Sequence, residues 1–419
     1  MRFIMAFAAL CAGLFLASCG GHDDYAPPVF QGEITLVAQE APSDDTIIPL
    51  SLKIQVADYK LAKHEPPYGA FIGMYIARDT TAGNITAFES AIGVDHAMFA
   101  YTMALDDNYP LLWVLECLSA QKTPFITVLP PQNGHLYDAE LLRELALAAG
   151  RFNVPFFIHL YPITAAHNFN PPEHISFFHT AHTIFAQYAP NVALVWGFDA
   201  EKLAVSAQFF PGMDVVDWIH MTIYNNISTD GTFGDFFSYI DFFYYMYQQK
   251  APLAISTAVS HYTIETNAYF TQAAADKILH IYEGLREYTR IKAVLYRNYS
   301  DLSGDGNKYG INAADVIRAA YIQAVSNSHF INFAPKDITQ EQQVSTKQLR
   351  SPFRAIMHNS YFYIPLRALI YDVHFPYLEQ LAGMETIING ETFFSMAHIN
   401  RVSGMDFFVD LDRRILVLR

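Results

Sequence analysis

The stretch Val192-Ala193-Leu194-Val195-Trp196-Gly197-Phe198 is short and apolar almost throughout, and its pattern recurs along most of the chain. Parallel strands that are covered on both faces have such continuous apolar sequences, whereas half-exposed strands alternate between apolar and polar residues. Residues 192–198 are therefore predicted to form a buried parallel strand. Seven further runs rich in β-branched and aromatic residues predict the same kind of strand, at 71–77, 96–103, 125–130, 154–161, 216–224, 253–259 and 291–299.

Amphipathic stretches of helical length separate these runs. Residues 138–149 place Leu141, Leu142, Leu145 and Ala149 on one face, and residues 274–288 do the same with Ile278, Ile281, Tyr282 and Leu285. Eight strands alternating with helices over this length predict an α/β fold, a (β/α)8 TIM barrel. The main alternative is a doubly wound open sheet. No glycine-rich phosphate loop follows the first strand, which weakens a nucleotide-binding version of that alternative.

The N-terminus predicts export and lipid attachment. Arg2 precedes an apolar run at 3–15, which is too short to cross a bilayer, and Leu16-Ala17-Ser18-Cys19 follows. This segment resembles the bacterial lipobox, so residues 1–18 are predicted to be a signal peptide and Cys19 the lipidated residue. Residues 19–46 are predicted to be a tether. The predicted location is extracytoplasmic, on a bacterial cell surface and anchored in the membrane; the alternative is an ordinary signal peptide with Cys19 incidental.

Composition and charge exclude some classes of function. The chain has 419 residues, of which 52% are hydrophobic and 15% aromatic, as expected for a globular body and not for a disordered one. A formal net charge of -15 without basic clusters argues against nucleic acid as a partner. With Cys11 in the signal and Cys19 lipidated, Cys117 has no partner and is predicted to be a buried, inert thiol.

Two patterns suggest metals, but neither is complete. Residues 301–312 resemble a calcium loop, yet the last position is Asn312 where a bidentate glutamate is needed. His174, His179 and His182 come near helical spacing, but no carboxylate or cysteine completes a zinc set. We therefore predict no metal and no cofactor.

Polar and aromatic residues follow the predicted strands, where (β/α)8 barrels carry their active sites. Aromatic rings stack on the apolar faces of sugars, and amide and guanidinium groups bond to their hydroxyls. The sequence therefore predicts a saccharide-binding mouth. Its predicted lining residues are His159, Trp196, Asp199, Tyr224, Tyr296 and Arg297.

The segment around the fifth and sixth predicted strands is similar to glycoside hydrolase family 26, a family known for β-mannanases. The matching parts are 189–196, Phe209-Phe210-Pro211-Gly212, Val216-Asp217-Trp218 and Tyr224, and the resemblance extends over residues 69–300. It implies a retaining glycosidase with an acid/base glutamate at the end of strand 4 and a nucleophilic glutamate at the end of strand 7.

The two positions that correspond to these glutamates are Ile163 and Thr257. Neither side chain can act as an acid or as a carboxylate nucleophile, and shifting either alignment by one or two residues brings in no Asp or Glu. Replacement carboxylates would have to come from elsewhere, with Asp199 and Glu201 as the main candidates.

The C-terminal part has a different pattern. A polar stretch at 336–350 predicts a linker between a barrel domain at 47–335 and a small α+β domain at 351–419. Asn389-Gly390 predicts a hairpin, and residues 410–413 a second turn. This part resembles the copper amine oxidase N-terminal-like stalk domain of bacterial surface proteins, without a copper-ligand cluster, and the resemblance implies contact with the cell envelope.

Three functions remain open from the sequence. The favoured hypothesis is a noncatalytic, carbohydrate-binding surface lipoprotein that takes a polysaccharide or oligosaccharide. The alternatives are an active β-glycanase that uses replacement carboxylates, and a structural or protein-interaction lipoprotein of the cell envelope.

Overall fold

The computed structural model describes residues 47–419, apart from residues 78, 80–81, 132–136, 168, 300–306 and 334–343 and the side chains of 57–59 and 344–346. The predicted signal peptide, Cys19, the tether at 19–46, half of the calcium-like loop and half of the predicted linker lie outside the described residues.

The described strands up to residue 331 are β1 (Ile48–Lys60), β2 (Ala70–Tyr75), β3 (Met98–Ala104), β4 (Thr123–Leu129), β5 (Phe156–Leu160), β6 (Val192–Asp199), β7 (Trp218–Asn225), β8 (Leu253–Val259), β9 (Tyr262–Thr263), β10 (Ala268–Tyr269), β11 (Ile291–Arg297), β12 (Asn307–Lys308) and β13 (Phe330–Ile331). The later strands are β14 (Val344–His358), β15 (Tyr361–Pro365), β16 (Glu385–Ile388), β17 (Glu391–Ser395), β18 (Phe407–Asp410) and β19 (Ile415–Leu418). The helices are α1 (Ile85–Ile92), α2 (Leu111–Ser119), α3 (Ala139–Gly150), α4 (Pro171–Tyr188), α5 (Phe236–Tyr247), α6 (Thr271–Leu285), α7 (Asp315–Val325), α8 (Leu366–Tyr371) and α9 (Met396–Ser403).

Eight parallel strands close into a barrel. Their order is β2-β3-β4-β5-β6-β7-β8-β11, and β11 pairs with β2 to complete the ring. Each predicted strand corresponds to one of these, and the predicted 253–259 coincides with β8. Helices α3 and α6 lie where the amphipathic patterns predicted them. The (β/α)8 prediction is therefore confirmed. One crossover departs from the α-helical pattern: a 3-10 helix, Ala200–Phe209, follows β6.

The barrel strands separate two layers of apolar side chains. One cluster lies inside the ring and includes Phe71, Phe125, Phe157, Trp218 and Leu295. A much larger cluster lies between the strands and the helices. Successive residues of a strand point to opposite faces, so each barrel strand supplies both layers. This alternation decides which residues can reach the mouth.

A second sheet combines both ends of the described chain. Its strand order is β16-β17-β15-β14-β1-β19-β18, with β1 antiparallel to β14 and parallel to β19. Leu50, Leu52 and Ile54 of β1 are buried in the core of this sheet. The predicted boundaries differ from this arrangement: residues 48–60 belong with the C-terminal sheet instead of the barrel, and residues 344–350 of the predicted linker are strand. Residues 344–350 have a polar composition that does not predict a strand, and their partner β1 lies nearly 300 residues away in sequence.

Both predicted turns in this part are confirmed. Asn389 and Gly390 join β16 to β17 with φ of 52° and 79°. Two consecutive positive φ values are what the tight two-residue hairpin turn requires, and Asn-Gly adopts them at low cost. The turn after Asp410 joins β18 to β19.

Polar contacts join the sheet to the barrel. The Gln248 side-chain amide donates to the Arg350 carbonyl (2.6 Å) and accepts from the Arg350 backbone N–H (2.8 Å). The Thr289 hydroxyl donates to the Gln348 carbonyl (2.6 Å), and Lys53 forms a 2.9 Å ion pair with Glu287. Residues 348–350 thus contact the barrel through their backbone, and Lys53 contacts it through its side chain.

None of the described helices is long and apolar enough to cross a bilayer. Cys117 is fully buried in α2, and burial raises the pKa of its thiol, as expected for an inert cysteine. Within the described residues, no three His, Cys, Asp or Glu side chains come together as a metal site.

Candidate functional site at the mouth of the barrel

Asp199 is the one carboxylate on the eight barrel strands, all of which are fully described. It is the last residue of β6 and shares its inward direction with Val195 and Gly197. Glycosidase chemistry of the two-carboxylate kind needs a second acidic group close by. Any second group must therefore come from a loop.

A pocket of about 470 Å³ opens beside Asp199. Glu201 and Asp235 line it together with Thr222, Tyr224, Asn226 and Tyr239. Burial raises the pKa of Asp199 to about 6, against the opposing charge of Arg297 and with added repulsion from Glu201. Glu201 itself lies exposed in the first turn of the 3-10 helix. Asp199 can thus exchange a proton near neutral pH, whereas Glu201 has the surroundings of a solvated surface residue.

Tyrosines surround Arg297 at the centre of the mouth. The Arg297 Nη1 donates to the hydroxyls of Tyr299 (2.9 Å) and Tyr224 (3.4 Å), and its guanidinium lies 5.3 Å from the ring centroid of Tyr75. The ring of Tyr309 packs at 5.5 Å from Tyr224. Within the described residues Arg297 forms no ion pair, so its charge is offset by phenol oxygens and aromatic faces. The predicted residues Asp199, Tyr224 and Arg297 are thus brought together.

Two histidines form the layer beneath the mouth. His159 and His220 are both buried, with ring centroids 4.5 Å apart. His220 Nε2 lies 2.8 Å from the Ser256 hydroxyl, and His159 Nδ1 lies 3.4 Å from that of Thr127. Burial lowers the pKa of His159 to about 3 and that of His220 well below its usual value, and Arg297 lowers both further. His159 therefore supports the floor of the site as a neutral ring and does not reach the mouth as predicted.

Trp196 and Tyr296 were predicted to line the mouth, but the structure places them in the layer between strands and helices. Trp196 is fully buried against Phe198 and Tyr247. The Tyr296 hydroxyl donates to the carbonyls of Val259 (3.3 Å) and Tyr309 (3.2 Å). The reason is the alternation of strand residues: Trp196 lies one residue from inward-facing Gly197, and Tyr296 one residue from inward-facing Arg297.

Comparison with solved structures gives the type of barrel. A modular endo-β-1,4-mannanase of glycoside hydrolase family 26 from Cellulomonas fimi superposes with a TM-score of 0.51 and 11% identity, over 67% of this chain and 80% of that chain. A family 26 β-mannanase from Bacteroides ovatus gives a TM-score of 0.48 and 10% identity, over 66% and 95%. The likeness to the Cellulomonas enzyme is one of fold, a closed (β/α)8 barrel. No family model matches the sequence, and no curated protein does.

Neither of the two positions predicted to correspond to the catalytic glutamates of family 26 faces the mouth of the barrel. Ile163 is buried outside the ring and is held beside β6 by a hydrogen bond from its N–H to the Gly197 carbonyl (3.0 Å). Thr257 is buried and accepts a 2.9 Å hydrogen bond from the Asn225 amide. The inward-facing neighbours of Thr257 are Ser256 and Ala258. No carboxylate therefore replaces the expected pair at these strand ends.

Sequence reasoning missed three tyrosines of the mouth, Tyr75, Tyr299 and Tyr309. Counting by twos from Phe71 would have placed Tyr75 on the inner face of β2, because Phe71 and Tyr75 have the same parity. Tyr309 lies beyond the barrel strands, and its hydroxyl donates to the Asn226 amide oxygen (2.6 Å). No local pattern in the sequence indicates that contact.

Proposed function

We propose that this protein binds a polysaccharide or oligosaccharide at the mouth of its glycoside-hydrolase-type barrel without hydrolysing it. The observation that carries the proposal is that Asp199 is the single carboxylate on the eight barrel strands. A retaining mechanism needs two carboxyl groups about 5–5.5 Å apart, and an inverting one needs two at a somewhat larger separation. A site with one strand carboxylate retains polar contacts for a sugar, but no barrel strand supplies the second carboxyl group that hydrolysis needs.

The mouth offers the contacts that saccharides use. The ring of Tyr224 is 38% exposed, which leaves an aromatic surface for stacking on a sugar face. Arg297 and Asn226 supply hydrogen-bonding groups around it. The solved mannanases act on a β-1,4-linked mannan, so β-linked glycans are the first ligands to test.

One observation favours hydrolysis as a second candidate function. Burial raises the pKa of Asp199 to about 6, which suits a general acid at neutral pH, and Glu201 lines the same pocket. In that case Asp199 would protonate the leaving oxygen, and Glu201 would act as base or nucleophile. The exposed position of Glu201 makes this the weaker candidate.

The remaining proposals concern location. Cys19 as a lipidated residue would anchor the chain on the cell surface, and the sheet domain, which we propose to be stalk-like, would contact the cell envelope. A purely structural envelope protein with an idle mouth is the alternative that a binding experiment separates from ours.

The test is calorimetric titration of the purified full-length protein with mannan, glucan and xylan oligosaccharides. We expect saturable binding to at least one of them and at least a tenfold loss of affinity in Tyr224→Ala. Tyr361→Ala is the matched control, since Tyr361 is 61% exposed on the sheet far in sequence from the mouth. Absence of binding, or equal affinity in Tyr224→Ala, would contradict the proposal.

A further inference from the structure

A second pocket, of about 340 Å³, lies between α5 and the C-terminal sheet. Four of its lining residues are arginines, Arg350, Arg354, Arg413 and Arg414, and its one lining acid is Asp241. We call it the arginine pocket. Residues from the second half of α5 line it. The pocket beside Asp199, which we call the mouth pocket, is lined by Gly234 to Phe236 and by Tyr239, at the start of the same helix. The two pockets therefore adjoin opposite ends of one helix.

The charge of the arginine pocket is opposite to that of the chain. The protein has 41 acidic against 26 basic residues, yet four arginines and only one acidic residue line this cavity. Arg350 pairs with Asp241 (3.3 Å), and Arg413 lies 3.8 Å from Asp410. Neither Arg354 nor Arg414 forms an ion pair with a described residue. An excess of cationic residues around one cavity gives it a positive potential, which attracts an anionic ligand.

The sheet holds these two arginines on either side of β1. Ser51 of β1 pairs with Arg354 of β14, and the Ser51 N–H donates to the Arg414 carbonyl (2.7 Å) on the other side. Arg414 has φ of 54°, in the left-handed region where Gly or Asn costs least. Arg414 ends the turn that joins β18 to β19, and this φ belongs to that turn.

A row of exposed aromatic rings leads along α5 from one pocket towards the other. Tyr239, Phe242 and Tyr245 are each 45–46% exposed and follow one another at intervals of three residues. Residues three apart are neighbours on a helix surface, and six residues rise about 9 Å along the axis. Tyr239 lines the mouth pocket and Tyr245 the arginine pocket. Large apolar rings in solvent mark a binding surface, and a row of them suits the successive ring faces of a saccharide.

We propose that the arginine pocket binds the carboxylate or sulfate group of an acidic polysaccharide whose chain stacks on the α5 aromatic row. The proposal rests on the proposed glycan-binding function and names its ligand class. Arg354 and Arg414 present planar forks that match an oxyanion with two parallel hydrogen bonds. Tyr245 and Phe353 provide the apolar wall beside it.

The experiment is calorimetric titration of the purified full-length protein with three oligosaccharides of equal length: oligogalacturonate, a sulfated galacto-oligosaccharide and a neutral manno-oligosaccharide. The variant is the double substitution Arg354→Gln/Arg414→Gln. Arg401→Gln is the control, since it removes one exposed charge from α9 outside the pocket. We expect an acidic oligosaccharide to bind the wild-type protein, and to bind it more weakly in high salt. We expect its affinity to fall at least tenfold for the double variant and to stay unchanged for Arg401→Gln. The acidic ligand that binds tighter identifies the group.

The proposal is overturned if neither acidic oligosaccharide binds the wild-type protein, or if the double variant binds both as tightly as wild type does. Arg354→Lys/Arg414→Lys provides a second reading that keeps both charges but removes the planar forks, and we expect an intermediate loss from it. Tyr224→Ala distinguishes a failure of the arginine-pocket proposal from a failure of the proposed function at the mouth. If the mouth does not bind glycans, Tyr224→Ala leaves the affinity for the neutral oligosaccharide unchanged. If the arginine pocket does not bind the acidic group, the arginine variants leave the affinity for the acidic oligosaccharides unchanged.

Discussion

The imidazole rings of His159 and His220 lie 4.5 Å apart inside the barrel, and Gly197 gives them room. A Cβ at residue 197 would lie 2.4 Å from the His220 carbonyl oxygen and 2.6 Å from His159 Nε2. Because residue 197 of β6 has no side chain, His159 of β5 and His220 of β7 can lie in one layer. That layer supports Asp199, Tyr224 and Arg297 above it.

We expect Gly197→Ala to destabilise the protein by about 1–3 kcal/mol, because the methyl group must displace either backbone or a buried ring. Urea unfolding followed by tryptophan fluorescence measures the loss. Gly83→Ala is the matched control, since a Cβ there meets nothing within 4 Å. Equal stability of the two variants would show that the histidine layer is not packed as described.

The same histidines should make stability depend on pH. Their folded pKa values lie far below the value of about 6.5 expected in the unfolded chain, so below pH 6.5 the unfolded chain binds more protons and stability falls as the pH falls. Asp199 opposes this, because its raised pKa lets the folded form take up a proton first. Each histidine contributes up to about 1.4 kcal/mol per pH unit between pH 6 and 4.

The measurement is the free energy of unfolding from pH 7 to pH 4 for wild type and for His159→Gln/His220→Gln. We expect a shallower slope in the double variant, which lacks two of the groups that must stay neutral. If the slopes coincide, burial does not hold these two rings neutral in the way that their lowered pKa values predict.

The barrel could be predicted from sequence because its strands are buried on both faces and are short and continuous. The family 26 likeness followed from the segment around β6 and β7, and the superposition with the Cellulomonas mannanase supports that type of fold. The membership of β1 in the C-terminal sheet could not be predicted. Its pairing with β14 depends on contacts between residues at opposite ends of the described chain, and no local pattern reports such contacts.

The candidate site could be predicted only in part, because the sequence locates the ends of the strands but not their inward-facing residues. Asp199, Tyr224 and Arg297 lie at the mouth, since each is the last or the last but one residue of a barrel strand and faces inward. Trp196 and Tyr296 have aromatic rings that could stack on a sugar, but each is one residue away from an inward-facing position and faces outward. In continuously apolar strands the two faces have the same composition, so the inner face cannot be recognised from polarity.

The discontinuous sheet leads to a prediction about truncation. Removing residues 344–419 takes β14 and β19 from either side of β1 and exposes Leu50, Leu52 and Ile54. We expect the shortened chain to aggregate, because an unpaired apolar strand is a template for association. Size-exclusion chromatography checks this, with removal of residues 1–45 as the control that keeps every strand of the sheet. A soluble, monomeric barrel would mean that β1 does not depend on the C-terminal strands.

The most direct test of the account is reducing-sugar release from mannan, glucan, xylan and polygalacturonate by the purified full-length protein, with binding to the same glycans measured in parallel. A noncatalytic site predicts binding without release for wild type, and no change in release for Asp199→Asn or Glu201→Gln. Clear release by wild type that falls at least a hundredfold in Asp199→Asn, with a pH dependence near 6, would contradict the account and establish Asp199 as the acid of an active glycosidase.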